Sequence, residues 1–569
     1  MTITQSHSST LPTERGNVRT QIPDIDTVPG GLKEGAMETD AATRDTRPPA
    51  ATPVARLRDE AYAALRDALP AANLEEALRC SARLLAALPD RTALHRNLVM
   101  VAYGGGKDSS YTLAFVRAMQ LILYRVHGTT FRLRSATNRH AGMPRAVLEN
   151  IDREYRALRL PEDPDCELLL VDGNEVSTFD VDSPQREHVV RRNRLDILMT
   201  GHRTYADGRP TFCNACNLSV FNSFGVAAAH GAGADLIVTG DSKDEQRQYT
   251  AWVGRMTRRL AVPVLAPSAP GADAAGPGRL LARLDAIGRS YFADIHGEQA
   301  SGELAERRVT SAVPEQLRFF SIYGDTAYRA GDHMEMLTGF LGFRFDDLAF
   351  SFTESDCGNP ALMAHLRGLK IEHVYQRPYD EGLAEYVGFA LGLMQAKDFP
   401  PGLVETMRAR YAGPGAADRM RRAAERYALE TFGLTEEQLV CMVYSPFAEK
   451  GAGLAEFLRR EHPALAGRAE EIRTLLADDA REGSAAADAA LADELRRISG
   501  LELSRLRVLH GKSLRRPEVA AGTGARAGVA AGAEPDVIGT VLEGDPHKAV
   551  VRTRPAPTAE PILELISGR

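Results

Sequence analysis

Aromatic residues are missing from both ends of this 569-residue chain. Its 19 Phe, 16 Tyr and single Trp all fall between Tyr62 and Phe457. Aromatic side chains carry much of a packed core, so the globular material belongs between those limits. A basic excess is also missing: 69 Lys+Arg stand against 76 Asp+Glu, a net charge of -7, which argues against a dedicated nucleic-acid binder. No apolar run approaches the ~20 residues that a membrane helix needs, so no membrane partner is expected. The opening stretch MTITQSHSSTLPTERGNVRT has no apolar segment of the secretory kind. Six cysteines are too few for a disulfide scaffold. Together these absences lead us to expect a cytoplasmic protein with reduced thiols.

What is present is ordinary for a soluble protein: 44% hydrophobic and 25% charged residues. Length alone suggests roughly four domains at ~150 residues each, but the pattern along the chain reduces that number. Residues 1–54 are rich in Thr, Pro, Gly, Asp and Arg without apolar period, and read as a disordered arm. Residues 55–94 carry apolar residues at three- and four-residue spacing, a helical pair broken at Pro70.

Residues 95–262 alternate strand and helix. Short apolar runs at 97–103, 130–136, 166–171 and 235–239 suit strands buried in a parallel sheet. Helical patterns lie at 109–127, 144–159, 185–200, 217–230 and 244–260. This order predicts an α/β fold with a doubly wound, mostly parallel sheet, flanked by helical N-terminal and C-terminal additions. Residues 263–280 are Pro/Gly/Ala-rich and read as a flexible insertion. Residues 281–515 read as mainly helical, and 516–569 as a disordered tail.

The strongest local signal is NLVMVAYGGGKDSSYTLAFVRAMQ. An apolar strand ends at Tyr103, Gly104, Gly105 and Gly106 follow, and Lys107, Asp108, Ser109 and Ser110 open a helix. Glycines let a backbone turn sharply and bring its N–H groups close to a ligand. The helix N-terminus adds free donors and partial positive charge, suited to phosphate. Lys107 adds a full charge, and the two serine hydroxyls can bond phosphate oxygens. Asp108 belongs beside phosphate only if it helps hold a divalent cation or orients a donor. The spacing matches neither the Walker loop nor the dinucleotide fingerprint.

This segment resembles the PP-loop, S-G-G-x-D-S, of the ATP pyrophosphatase superfamily, with Gly104 in place of the first Ser. A second stretch, DLIVTGDSKDEQRQY at 235–249, resembles the superfamily's G-H-N-x-D-D-x-x-E-T. Gly240, Asp244 and Glu245 match, while Asp241 replaces His and Gln248 replaces Glu. Acidic groups at a strand's C-terminal end, facing the glycine loop, can hold Mg²⁺; the bland alternative is a helix N-cap. The resemblance implies ATP and Mg²⁺ as cofactors, with ATP cleaved between its α- and β-phosphates and a substrate oxygen adenylated. It implies that Gly104–Ser110, Gly240 and Asp241 bind nucleotide. Asp108, Asp241 and Asp244 would manage Mg²⁺, and Lys107 and Asp108 would take part in catalysis.

Cys213 and Cys216 form a C-x-x-C where a loop is expected to enter a helix, a position that favours thiolate. Alone this is half a zinc site, a redox pair or coincidence. Cys357 sits in a polar S-D-C-G-N-P stretch ahead of a helical run. Three thiolates would suit a [4Fe–4S] cluster with one iron free of protein ligation, with zinc as the alternative. Here the chain is similar to the tRNA 2-thiocytidine synthetase branch, whose cysteines hold such a cluster and deliver sulfur. That branch tends to have a second C-x-x-C at the third position, where this chain has one Cys.

The implied activity is therefore adenylation followed by thiolation, with Cys213, Cys216 and Cys357 as catalytic and metal-binding residues. A nitrogen nucleophile in a ligase or amidotransferase, or a catalytically silent nucleotide-binding scaffold, remains open. The acidic balance favours a small-molecule acceptor over tRNA; the donor is sulfur or nitrogen, and a homodimer is compatible with the pattern. Cys80, Cys166 and Cys441 read as buried fillers. His202 and His365 lie near the motifs, but a lone His is more often structural than catalytic. The Arg clusters at 191–194 and 255–259 read as helix surface.

Overall fold

The computed structural model describes residues 52–206, 208–239, 243–262, 277–297, 307–308, 317–322, 333–346, 348, 357–396, 399–477, 485–514, 537–539 and 550–552. The arm at 1–51, most of the 263–280 insertion and nearly all of the 516–569 tail lie outside them. In the tail, Val537–Gly539 and Val550–Arg552 pair as two short antiparallel strands.

The helical pair forms as its period predicts: α1 (Pro53–Ala68) and α2 (Ala71–Ala87) flank Pro70. Thr52 caps α1, its hydroxyl accepting from the N–H of Ala55. A central sheet follows, built from β1 (Leu98–Ala102), β2 (Arg132–Asn138), β3 (Cys166–Asp172), β4 (Glu175–Thr178), β5 (Leu236–Thr239) and β6 (Arg318–Phe320). Its order is β4-β3-β2-β1-β5-β6, parallel except for β4, which runs antiparallel at one edge. Helices α3 (Lys107–His127), α4 (Arg145–Ala157), α5 (Glu187–Thr204) and α6 (Gly208–Ala229) connect the strands, and α7 (Lys243–Arg259) follows β5. The α/β class and the mostly parallel sheet are thus present.

Every residue of β1 is buried, as a parallel strand covered on both faces requires. Its side chains alternate. Val99, Val101 and Tyr103 join the apolar layer under α2, α3 and α4, whereas Leu98, Met100 and Ala102 pack with Ala227 and Ala228 of α6. A buried ion network clamps α1 to this layer: Arg58 Nη2 lies 2.6 Å from Asp163, which also meets Arg117 at 2.9 Å. Two strands escape a periodicity reading. β4 is four exposed or half-buried residues, and β6 is three residues beyond residue 262 that pair with β5 through Leu236↔Arg318.

The C-terminal region is helical: α8 (Pro277–His296), α9 (Asn359–Leu369), α10 (Tyr379–Ala396), α11 (Pro401–Tyr411), α12 (Ala416–Phe432) and α13 (Glu436–Tyr444). Shorter helices follow, ending at Leu503–His510. These helices share one large apolar cluster with α5 and α6. No helix among the described residues is long and apolar enough to cross a membrane.

Candidate functional site at the carboxyl edge of the sheet

Strand β1 is the point where the sheet changes direction. The chain winds from β1 through β2 to β3 on one side, and places β5 and β6 on the other. Ligands of open α/β sheets bind in the crevice outside the carboxyl ends of the strands at such a point. The glycine loop leaves β1 there. Ala102 pairs with Thr239, so the loop and the segment after β5 depart from adjacent strand ends. Gly240 and Asp241 lie outside the described residues, as do the side chains of Cys213, Asp244, Glu245 and Gln248.

Gly105 has φ +74, and a Cβ there would sit 2.7 Å from Ile151 Cγ1 and 2.9 Å from Val147 Cγ1 of α4. Only glycine meets both demands, left-handed backbone and contact with a packed helix. Gly106 then caps α3 and, being glycine, brings no side chain to the helix's first N–H groups. Those donors are the ones an anion would take.

The side chains of the loop are arranged differently from the sequence expectation. Both serine hydroxyls turn back onto the Gly106 carbonyl, Ser109 at 2.9 Å and Ser110 at 3.0 Å. Lys107 is 2% exposed, its Nζ lying 2.7 Å from Asp108 Oδ2 and 5.1 Å from the centre of the Phe399 ring. Asp108 therefore orients the lysine, one of the two roles that justify an acid in this loop.

Beneath the loop lies a residue that sequence reasoning passed over. Glu154 of α4 is fully buried; Ser110 Oγ lies 3.0 Å from its Oε1, and the Tyr103 hydroxyl bonds its Oε2. Burial pushes its carboxyl up to about 8, against the opposing pull of the Tyr103 and Ser110 bonds. At neutral pH it keeps its proton. Ser110 has one hydroxyl proton and two acceptors in reach. The consistent arrangement has Glu154 donating to Ser110, Ser110 donating to the Gly106 carbonyl, and Tyr103 donating to Glu154. Burial, and then the charge of Glu154, holds the Tyr103 phenol well above its ordinary value. A readable signal existed: Val147, Ile151, Glu154 and Leu158 share one helical stripe, and the other three are apolar and buried.

The cysteine motif sits inside a helix rather than at its entrance. Helix α6 begins at Gly208, because Pro210 falls in its first turn, where a missing N–H removes no bond. Cys216 therefore sits in the third turn of α6, away from the helix start. Helix α6 runs against the strands. The carbonyl of Ala227 accepts from Arg134 in mid-β2, and Ser223 Oγ donates to Asn138 at the end of β2. Cys216, seven residues earlier, lies about 10 Å further along the helix axis toward its N-terminus. The Asn138 amide nitrogen is buried at the same edge without a hydrogen-bond partner.

Cys357 arrives from the other side. The N–H of Gly358 donates to the carbonyl of Gly142 at 3.0 Å, in the loop after β2, and the Tyr427 hydroxyl donates to the same carbonyl at 2.9 Å. A Cβ on Gly358 would lie 2.7 Å from the Tyr427 ring. Burial raises the Tyr427 phenol well above its ordinary value, and the charges of Cys357, Asp346 and Cys216 raise it further. Cys216 and Cys357 lie 141 positions apart in sequence, the first on α6 and the second just before Gly358.

The remaining candidates are interior groups. Cys80 and Cys441 are fully buried, and burial pushes the Cys166 thiol up to about 12. Burial lowers His202 to about 4 and His365 to about 3. Arg194 of the first arginine cluster is half-buried and donates to the Gly500 carbonyl at 3.1 Å. Comparison with protein-family models, curated proteins and solved structures returned no match.

Proposed function

We propose that the protein binds Mg²⁺-ATP at the Gly104–Ser110 loop, adenylates an oxygen of a small-molecule acceptor, and then transfers sulfur to the activated carbon. The observation that carries the reading is the glycine-capped N-terminus of α3 behind a glycine-only turn, at the switch point of a mostly parallel sheet. The acceptor oxygen would attack the α-phosphorus, and the bond to pyrophosphate would break. Loop N–H groups and Lys107 would hold the leaving phosphates, with Asp108 fixing the lysine. Asp108, Asp241 and Asp244 are the acids available for Mg²⁺, which would neutralise charge on the phosphates.

Sulfide, as the sulfur source, would then attack the adenylated carbon and expel AMP without a redox step. Cys213 is one turn from Cys216 on α6, and Cys357 lies next to Gly358, whose N–H is tied to the loop after β2. These three would hold an iron–sulfur group, which when bound would present sulfur near the reacting carbon. Anaerobic purification tests this arm. A brown protein with about four irons per chain, colourless in Cys357→Ser, is the expected result. A colourless wild-type protein would overturn sulfur transfer and leave the nitrogen nucleophile.

A further inference from the structure

The helical region holds a cluster of metal-ligating groups that includes no residue of the motifs above. His365 of α9, Glu425 of α12 and Glu436 at the start of α13 each present one ligand atom, and the three atoms lie within 4.8 Å of one another. His365 is 1% exposed. Its Nδ1 lies 2.8 Å from the Tyr379 hydroxyl, and its Nε2 has no hydrogen-bond partner. A buried imidazole nitrogen without a partner is costly. With Nδ1–H donated to Tyr379, Nε2 keeps a lone pair free for a cation, and Tyr379 fixes the ring as the outer partners of metal-bound histidines do.

Charge points the same way. Arg421 reaches Glu436 at 2.7 Å and Glu425 and Glu372 at 3.0 Å each. Three carboxylates around one guanidinium leave an excess of negative charge, which a divalent cation would balance. A cavity of about 710 Å³ lies beside the cluster, lined by its neighbours Glu372, Tyr379 and Arg421.

We propose that His365, Glu425 and Glu436 form a binding site for a divalent first-row metal ion, zinc foremost, with a coordination position left for water. One nitrogen and two oxygens suit zinc in its open, three-ligand form and do not suit a thiophilic cluster. The site is separate from the cysteines, and it stands whether or not they bind iron.

Cobalt(II), a coloured stand-in for zinc, tests this on the full chain after chelator treatment. The host is the Cys213→Ser/Cys216→Ser/Cys357→Ser variant, so that no thiolate competes. The expected result is one cobalt per chain with d–d absorption and no sulfur charge-transfer band. Zinc should displace it. Glu425→Gln and His365→Gln should each weaken binding at least tenfold while far-ultraviolet circular dichroism stays unchanged. Tyr379→Phe should weaken it about 10- to 100-fold. If His365→Gln fails to fold, the surface-accessible Glu425→Gln decides. No cobalt uptake, or uptake that Glu425→Gln leaves unchanged, would overturn the proposal.

Discussion

Replacing Glu154 by Gln tests the network beneath the glycine loop. Burial raises this carboxyl from 4.5 to about 8, and one pKa unit corresponds to about 1.4 kcal/mol. The folded state binds the proton more tightly than the unfolded chain. Its contribution is therefore fully present below pH 4.5 and is lost as pH rises toward 8. The loss is about 3 kcal/mol by pH 7 and about 5 kcal/mol in all. Gln cannot ionise, and it keeps both bonds, its amide donating to Ser110 and its carbonyl accepting from Tyr103. A chain of this length changes melting temperature by roughly 1 °C per kcal/mol. Thermal unfolding of both proteins from pH 5 to pH 9 should show the variant gaining on wild type by roughly 3–5 °C. Nucleotide binding should follow, because ionised Glu154 draws the Ser110 hydroxyl away from Gly106: wild-type affinity falls through pH 8 and the variant's does not. A constant temperature gap across that range would refute the reasoning.

Three further outcomes follow from the same geometry. Gly105→Ala combines left-handed backbone with a 2.7 Å contact to Ile151; it should cost about 2–4 kcal/mol and abolish nucleotide binding, measured by calorimetric titration. Lys107→Ala removes a charged donor from the loop; ATP affinity should fall about 10- to 100-fold, while AMP affinity, read in the same titration, falls less. Tyr427→Phe removes the hydroxyl that ties α12 to Gly142. It should cost about 1 kcal/mol and lower the metal content measured at the cysteines after anaerobic purification.

The elements that carry the proposed nucleotide site were legible, because each was a local pattern. Strand β1 is an unbroken apolar run between Asn97 and three glycines, and α3, α4 and α5 keep their period over many turns. What escaped depends on tertiary contact. Strand β6 is three residues that become a strand by pairing with β5. The start of α6 was placed nine residues late, since Gly208 and Pro210 punctuate like a loop but are tolerated in a first turn. Ser109 and Ser110 read as phosphate ligands; their hydroxyl bonds to the Gly106 carbonyl come from the turn and carry no sequence signal of their own. Glu154 draws no attention in the sequence, although it shares an otherwise apolar helical stripe with Val147 and Ile151. His365, Glu425 and Glu436 come from three helices, so no spacing along the chain could join them.

The central claim is that the Gly104–Ser110 loop directs cleavage of ATP between its α- and β-phosphates. Chromatographic separation of the nucleotides formed from Mg²⁺-ATP, across a panel of small carboxylates, amides and sugars, tests it most directly. AMP and pyrophosphate in equal amounts, lost in Gly105→Ala, is the result predicted; ADP and phosphate, or no turnover with any acceptor, would contradict it.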